Sequence, residues 1–201
     1  MDIINFIVSR FATNCYLVSD DTKHAFIVDP GDKCNELIDE IMHKELIPEY
    51  IILTHGHGDH TGGIDFVKEA FPEIKLIASK AETKFLYDRS MSMGKGGIIP
   101  DIEVKDGDII TVGNMTLKCI STPGHTPGGM CIYSEADNVL FSGDTLFHCS
   151  IGRTDFPGGN GVVLLNSIEE KLMSLPMDTQ VFPGHDATTT IGYEKQYNPW
   201  L

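Results

Sequence analysis

Basic residues are scarce in this chain of 201 residues. It has 15 lysine and arginine residues against 29 aspartate and glutamate residues, which gives a formal net charge of −14. Such a charge repels the phosphate backbone of nucleic acids and the surface of anionic membranes. The deficit of positive charge therefore argues against nucleic acid and membrane partners.

Cysteine is also sparse, and it lacks a pattern. The chain has five cysteines, an odd number, and no two of them form a C-x-x-C pair. This spacing predicts neither a disulfide framework nor a thiolate metal site. We interpret the cysteines as reduced and mostly buried thiols; they are Cys15, Cys34, Cys119, Cys131 and Cys149.

Long apolar runs are absent. No stretch is long enough to span a bilayer, and residues 1–8 lack the basic flank and cleavage site of a secretory signal. We therefore expect a cytoplasmic protein. No linker-like or low-complexity stretch divides the chain, so we expect one domain over residues 1–201.

What the chain does contain is a series of short strands and helices. Apolar runs bounded by turn-forming residues predict strands at 3–8, 15–18, 25–28, 50–53, 76–78, 109–112, 115–120, 131–133, 139–141 and 180–182. Helical spacing predicts helices at 34–44, 63–70, 81–87 and 162–175. The glycine-containing stretch 90–100 is expected to be a flexible loop near the site, able to act as a lid. Antiparallel-looking strands with interspersed helices predict an α/β (α+β) fold, a four-layer αβ/βα sandwich of two sheets with helices outside.

One segment concentrates metal-binding side chains. Residues 55–60 read His-Gly-His-Gly-Asp-His and follow the strand at 50–53. In a strand, His60 would point away from His55 and His57, and in a helix His55 and His57 would diverge. A turn leading into a helix at about 59–61 would divide the ligands into two sets. Imidazole and carboxylate without thiolate suit zinc and tolerate iron or manganese, which favours a catalytic over a structural site.

Three later positions show a similar arrangement, with His125, Asp144 and His185 each directly after a glycine at the end of a strand. Alone, each would more often be an ordinary loop residue, and residues 55–60 could be a solvated turn rich in histidine. The order and joint presence of these segments argue against that interpretation. The remaining histidines are interpreted as surface or hydrogen-bonded side chains; they are His24, His43 and His148.

Taken together, these segments resemble the five motifs of the metallo-β-lactamase superfamily, and the match runs over almost the whole chain. The resemblance implies two divalent metal ions, with Zn²⁺ preferred and iron or manganese as alternatives. One ion would be held by His55, His57 and His125, and the other by Asp59, His60 and His185. Asp144 would bridge the two ions, and Asp29 would hydrogen-bond within the cluster loop and orient a ligand.

Within the superfamily, residues 152–159, which read Gly-Arg-Thr-Asp-Phe-Pro-Gly-Gly, are similar to small glyoxalase II-like (hydroxyacylglutathione hydrolase-like) enzymes. This implies hydrolysis of S-acyl glutathione-like thioesters by a metal-bridging hydroxide, with Asp59 and Asp144 in the catalytic machinery and a small-molecule thioester as the partner. Arg153 would bind substrate, although a surface charge is the simpler interpretation. Only residues 186–201 follow His185, so we expect no C-terminal helical glutathione-binding domain.

Three alternatives compete with this hypothesis. The stretch 152–156 also resembles persulfide dioxygenases, which use a single iron on two histidines and one carboxylate. Antibiotic hydrolysis is disfavoured because Asp144 stands where several true β-lactamases carry a cysteine. A nucleic-acid-processing or non-catalytic member of the fold ranks last because the chain is acidic.

Overall fold

Two six-stranded sheets form the centre of the computed structural model, which describes residues 1–201. In the first sheet, strand order follows chain order, with β1 Asp2–Val8, β2 Thr13–Ser19, β3 His24–Val28, β4 Ile47–Ile52, β5 Lys75–Ser79 and β6 Ile102–Val104. The second sheet has the order β14-β13-β10-β9-β8-β7, and its strands are β7 Ile109–Val112, β8 Met115–Ser121, β9 Met130–Ser134, β10 Val139–Gly143, β13 Gln180–Pro183 and β14 Thr189–Thr190. A separate small hairpin consists of β11 Leu146–Phe147 and β12 Ser150–Ile151.

The helices are short. They are α1 Asn35–His43, α2 Gly58–Thr61, α3 Ile64–Ala70, α4 Thr83–Tyr87, α5 Arg89–Ser92, α6 Gly161–Ser167 and α7 Ile191–Tyr197. Of these, α1, α3, α4, α6 and α7 pack on the outer faces of the sheets. A 3₁₀ turn, Lys80–Glu82, precedes α4, and a π-helical turn, Ile168–Leu172, continues α6. No helix has the length and apolar character needed to cross a membrane.

Three apolar cores hold the layers together, and alternation along the strands explains how. In β2, Cys15 and Leu17 face the core shared with α1, α3 and α4, whereas Tyr16 and Val18 face the core between the sheets. The second sheet buries its other face against α6, the π-helical turn and α7, with Leu164 among the contacts. Both faces of each sheet are thus covered, and the predicted four-layer αβ/βα sandwich is confirmed.

The strand pairing differs from the antiparallel arrangement that we expected. Strands β3, β4, β5 and β6 pair in parallel, and so do β10 and β13. Parallel neighbours need a crossover connection, and helices supply it here. Because the carboxyl ends of β3, β4 and β5 point in the same direction, the loops that follow them meet at one edge of the sheet.

Several predicted boundaries also shift. The strand predicted at 50–53 begins earlier, because Pro48 lies inside β4 at a shift in the pairing register with β3. The helix predicted at 162–175 is α-helical only to Ser167, and Asn160 caps its start by accepting a hydrogen bond from the backbone N–H of Val163. The stretch 90–100 includes the end of α5. The hairpin β11–β12 and helix α7 were not predicted.

Candidate metal centre

The segment 55–60 adopts the predicted turn followed by a helix. After β4 the chain is irregular through His57, and α2 then begins at Gly58. Gly58 is required at this position because a Cβ there would lie 2.8 Å from the Cα of Gly94. The glycine-containing stretch 90–100 therefore contacts the cluster loop through its backbone, and it contributes Met93 to the cavity described below.

A first set of possible metal ligands consists of His55, His57 and His125. All three are buried, and their ligand atoms lie within 4.8 Å of one another. Nδ1 of His57 lies 2.9 Å from Nε2 of His125, and Nε2 of His55 has no hydrogen-bond partner. Nδ1 of His125 donates a 2.6 Å hydrogen bond to the carbonyl of Arg153, so Nε2 of His125 carries the lone pair that faces the set.

A second set consists of Asp59, His60 and His185. Nε2 of His60 lies 3.3 Å from Nε2 of His185, which in turn lies 3.4 Å from a carboxylate oxygen of Asp59. Nδ1 of His185 can donate to the carbonyl of Phe11 over 3.2 Å, which leaves Nε2 of His185 as the acceptor atom. This set therefore also converges on one point.

Asp144 lies between the two sets. Its Oδ2 atom is 3.5 Å from Nε2 of His125 and 3.6 Å from Nε2 of His185. Its Oδ1 atom is 3.4 Å from Nε2 of His60 and is buried without a hydrogen bond. One carboxylate therefore faces ligand atoms of both sets.

Asp29 belongs to neither set and supports both through hydrogen bonds. Its carboxylate accepts hydrogen bonds from the backbone N–H of Thr54 at 2.8 Å, from the Thr54 hydroxyl at 2.6 Å and from Nδ1 of His60 at 2.9 Å. Because the Thr54 hydroxyl donates its only proton to Asp29, it accepts from Nδ1 of His55 at 3.1 Å. Both Nε2 atoms, of His55 and of His60, are thereby turned towards the centre.

These residues fit divalent cations. Imidazole nitrogens that converge at 2.9 and 3.3 Å, together with buried nitrogen and carboxylate atoms that have no hydrogen-bond partner, form a donor set that a shared cation would satisfy. Burial and the neighbouring imidazoles lower the pKa of His55, and burial and His125 lower the pKa of His57 to about 4. The neutral form thus prevails in this set, and neutral imidazole is the form that binds metal.

A cavity of about 520 Å³ opens over the cluster. His57, His125, Asp59, His185 and Asp144 line it, whereas neither His55 nor His60 does. The other lining residues are Arg10, Phe11, Gly58, Met93, Phe147, Ser150, Ile151, Arg153, Phe156 and Asp186. Two members of each set therefore line the cavity, and the third member, His55 or His60, does not.

Arg153, predicted to bind substrate, lines the cavity but is not free. It makes two hydrogen bonds to the carboxylate of Asp155, at 2.8 and 2.7 Å, and its guanidinium stacks 3.7 Å from the ring centroid of Phe156. Arg10, which the sequence did not single out, lines the same cavity, stacks 4.7 Å from the ring centroid of Phe11, and has no ion pair with a carboxylate. No local pattern marks Arg10, because only the fold brings the β1–β2 turn to the cavity.

Glu82 is a second residue that the sequence did not indicate. It ends the 3₁₀ turn after β5, and its buried carboxylate accepts hydrogen bonds from the backbone N–H groups of Gly56 and Gly128. These two glycines belong to two different ligand loops. Since a lone glutamate after a strand carries no motif, contacts in the folded chain are needed to find it.

Outside the cluster, two of the three histidines without a motif have other partners. His24 pairs with Glu49 at 2.6 Å, and the His148 ring lies 5.1 Å from that of Tyr193. All five cysteines are free thiols, and only Cys149 is partly exposed.

Curated relatives align with this chain over nearly its full length. The profile of the metallo-beta-lactamase superfamily matches residues 8–185. Hydroxyacylglutathione hydrolase GloC of Haemophilus influenzae is 36% identical over 96% of this chain and 95% of that protein. The probable metallo-hydrolase YqgX of Bacillus subtilis is 38% identical over 96% of this chain and 94% of that protein.

Several solved structures have a similar fold. The BLEG-1 B3 metallo-beta-lactamase superposes with a TM-score of 0.92 at 37% identity, covering 100% of this chain and 99% of that one. TTHA1623 in a di-iron-bound form gives 0.87 at 30% identity, with 98% and 100% covered. ETHE1 from Myxococcus xanthus gives 0.83 at 28% identity, with 99% and 84% covered. The chain belongs to the metallo-β-lactamase superfamily.

Proposed function

We propose that this protein is a dinuclear metallo-hydrolase that cleaves thioesters of the glyoxalase II type. The observation that carries the proposal is the position of Asp144, whose carboxylate faces ligand atoms of both the three-histidine set and the Asp59, His60 and His185 set. The similarity to a hydroxyacylglutathione hydrolase over nearly the full length of both chains supports the thioester as substrate.

Two divalent cations held by these residues would polarise a substrate carbonyl and activate water. The chain itself has two further tasks. Asp29 and Thr54 orient His60 and His55 through hydrogen bonds. Phe147, Ile151 and Phe156 supply an apolar wall beside the ligands, which excludes water from part of the substrate.

The leaving group explains why no further acid is required. A thiol has an ordinary pKa of about 8.5, so a thiolate can depart without a proton, whereas an amide nitrogen cannot. The cavity side chains outside the ligand sets are arginine, serine, apolar residues and Asp186. This lining suits a thioester better than a peptide bond.

The two arginines of the cavity are proposed to bind an anionic part of the thioester. Asp155 neutralises Arg153, whereas Arg10 has no carboxylate partner in a chain of net charge −14. We expect Arg10→Gln to raise KM several-fold for a thioester with carboxylates in its thiol part and to leave KM for a neutral thioester unchanged. Lys105→Gln, which removes the same charge from a residue outside the cavity, is the matched control.

A second candidate, a persulfide dioxygenase with a single iron, is favoured by one observation. The set Asp59, His60 and His185 offers two imidazoles and one carboxylate, the donor set of many non-haem iron oxygenases. The similarity to BLEG-1 also makes a β-lactam a necessary comparison compound.

One experiment separates these candidates. Metal content is measured on the same preparation that is assayed with S-lactoylglutathione, a neutral thioester, a chromogenic cephalosporin, and glutathione persulfide with oxygen. The proposal predicts two divalent ions per chain and thioester turnover above the other activities. A single iron with oxygen consumption would establish the oxygenase instead, and preferential cephalosporin hydrolysis would establish a lactamase.

A further inference from the structure

We propose that Glu82 is a positioning residue that fixes the distance between the two loops carrying His55, His57 and His125. Its Oε1 atom accepts a 2.9 Å hydrogen bond from the N–H of Gly56, which stands between the first two histidines. Its Oε2 atom accepts a 2.7 Å hydrogen bond from the N–H of Gly128, three residues after His125. The inference rests on the metal centre of the proposed function and is independent of the thioester chemistry.

The carboxylate is committed to these two loops. Glu82 is 1% exposed and forms no ion pair, so no lysine or arginine compensates its charge. A buried carboxylate without a cation is costly unless hydrogen bonds satisfy it, and here the backbone of the two ligand loops does so. The arrangement is therefore specific for a group with two acceptor oxygens, since an amide would place donors against one of the two N–H groups.

Close packing shows that the contact is built into the fold. A Cβ at Gly128 would lie 2.2 Å from the backbone nitrogen of Glu82, and a Cβ at Gly56 would lie 2.9 Å from the Phe85 ring. The Phe85 ring also stands edge-on to the imidazole of His57, with centroids 5.3 Å apart. The segment from Glu82 to Phe85 thus contacts the second ligand of the set as well as both glycines.

A neutral, nearly isosteric substitution tests the role. Metal-free Glu82→Gln protein is titrated with Zn²⁺, and its Co²⁺ form is examined by visible absorption spectroscopy. Loss of a partner that orients ligands typically lowers metal affinity about 10- to 100-fold. We expect a loss of this size for one of two ions and a changed Co²⁺ spectrum, because the three-histidine set loses its spacing while the set with Asp59 keeps its own supports.

Glu194 provides the matched control. It is a second fully buried glutamate, and its carboxylate accepts hydrogen bonds from the backbone N–H of Cys149, from Asn198 and from Thr189. None of these residues belongs to either ligand set, and the group that Glu194 forms with His148 and Cys149 shares no residue with them. Glu194→Gln should lower the melting temperature and leave both Zn²⁺ affinities and the Co²⁺ spectrum as in the wild type. A purely structural role of Glu82 would make the two variants behave alike. Folded Glu82→Gln protein with both affinities within about threefold of wild type would overturn the proposal.

A measurement on the wild-type protein covers the case in which Glu82→Gln does not fold. In the metal-free protein, the amides of Gly56 and Gly128 should exchange their hydrogens together and at least about tenfold more slowly than unprotected amides. Exchange of either amide at the unprotected rate would show that the bridge does not form. All of these experiments measure metal binding or amide hydrogen exchange, and none depends on substrate. Absence of thioester turnover would therefore contradict the proposed function but not the role of Glu82.

Discussion

The two ligand sets each offer three side chains to a metal ion, but they differ in burial and charge. His55, His57 and His125 are all buried, and the set contains no carboxylate of its own. In the other set, the side chains of Asp59 and His185 are 21% and 20% exposed, and only His60 is fully buried. The first set is therefore buried and made of imidazoles alone, whereas the second is partly exposed and includes a carboxylate.

This difference extends to the residues that support each set. The carboxylate of Asp29 holds His60 directly, whereas Glu82 acts on the three-histidine set only through the backbone of its loops. Buried ligands limit the access of water and chelators to an ion, whereas partly exposed ligands leave an ion open to exchange. The following experiments test this contrast, from the largest expected effect to the smallest.

Asp144→Ala removes the one side chain that faces both sets. We expect thioester turnover to fall by more than about 100-fold with the fold retained, because loss of a ligand exceeds the effect of losing an outer partner. Turnover and circular dichroism are measured together. Asp178→Ala, which removes an exposed carboxylate outside the cavity, is the control, and near-normal turnover in Asp144→Ala would contradict a dinuclear centre.

His57→Ala and His185→Ala remove one ligand from each set. Each variant should retain about one of two bound ions, and the ion retained by His185→Ala should resist chelators longer, because it lies in the buried set. Metal analysis after timed dialysis against a chelator provides the measurement. His24→Ala, whose imidazole pairs with Glu49 away from the cluster, should keep both ions. Equal rates of metal loss from the two variants would contradict the prediction that the buried set holds its ion longer.

Asp29→Ala should weaken the ion of the second set most and that of the three-histidine set less, because Asp29 contacts His60 directly but His55 only through Thr54. The variant leaves Nδ1 of His60 and the backbone N–H of Thr54 without acceptors, so we expect about 10- to 100-fold weaker binding and a loss of about 1–3 kcal/mol in stability. Zn²⁺ titration and urea unfolding measure the two effects. Paired with Glu82→Gln, this variant shows whether each carboxylate acts mainly on one set, and equal losses at both ions in Asp29→Ala would refute that division.

The pH dependence of the metal-free protein gives the smallest effect. Burial and His125 lower the pKa of His57 to about 4, so the unfolded chain binds the extra proton first and stability falls as pH drops from 6.5 towards 4. Burial opposes protonation of His60, but the carboxylates of Asp144 and Asp29 outweigh it and raise the pKa to about 9. The contribution of His60 is therefore present below pH 6.5 and is lost as pH rises towards 9.

Urea unfolding at several pH values can separate these two contributions. His57→Ala should remove about 1–2 kcal/mol of the loss on the acidic side, and His60→Ala should remove a similar loss on the alkaline side. If both substitutions changed the free energy of unfolding in the same pH range, the opposite pKa shifts of His57 and His60 would be contradicted.

The parts of this centre that could be predicted from the sequence are those encoded locally. Glycines between ligands at 55–60, and a glycine directly before His125, Asp144 and His185, mark loops at strand ends, and the structure brings these residues together. Apolar periodicity likewise indicated most of the longer strands, because these are buried on one or both faces.

What the sequence did not reveal depends on contacts between distant segments. Periodicity shows that a run is a strand but not which strand pairs with it, so the parallel pairing of β3 to β6 was missed. Glu82 and Arg10 are ordinary polar residues in their local context, and only packing against Gly56 and Gly128, or at the cavity, distinguishes them. The π-helical turn after Ser167 also lacks a signal of its own.

The contact between His185 and the β1–β2 turn links metal binding to the order of folding. Nδ1 of His185 can donate to the carbonyl of Phe11, 174 positions earlier, and the side chains of Asn14 and Tyr16 donate hydrogen bonds to the carbonyl of Pro183. Contacts of such long sequence separation form slowly, since a large loop must close first. The last ligand is therefore oriented only when both ends of the domain have met, and the moment at which a refolding chain acquires its second ion would report that this meeting is complete.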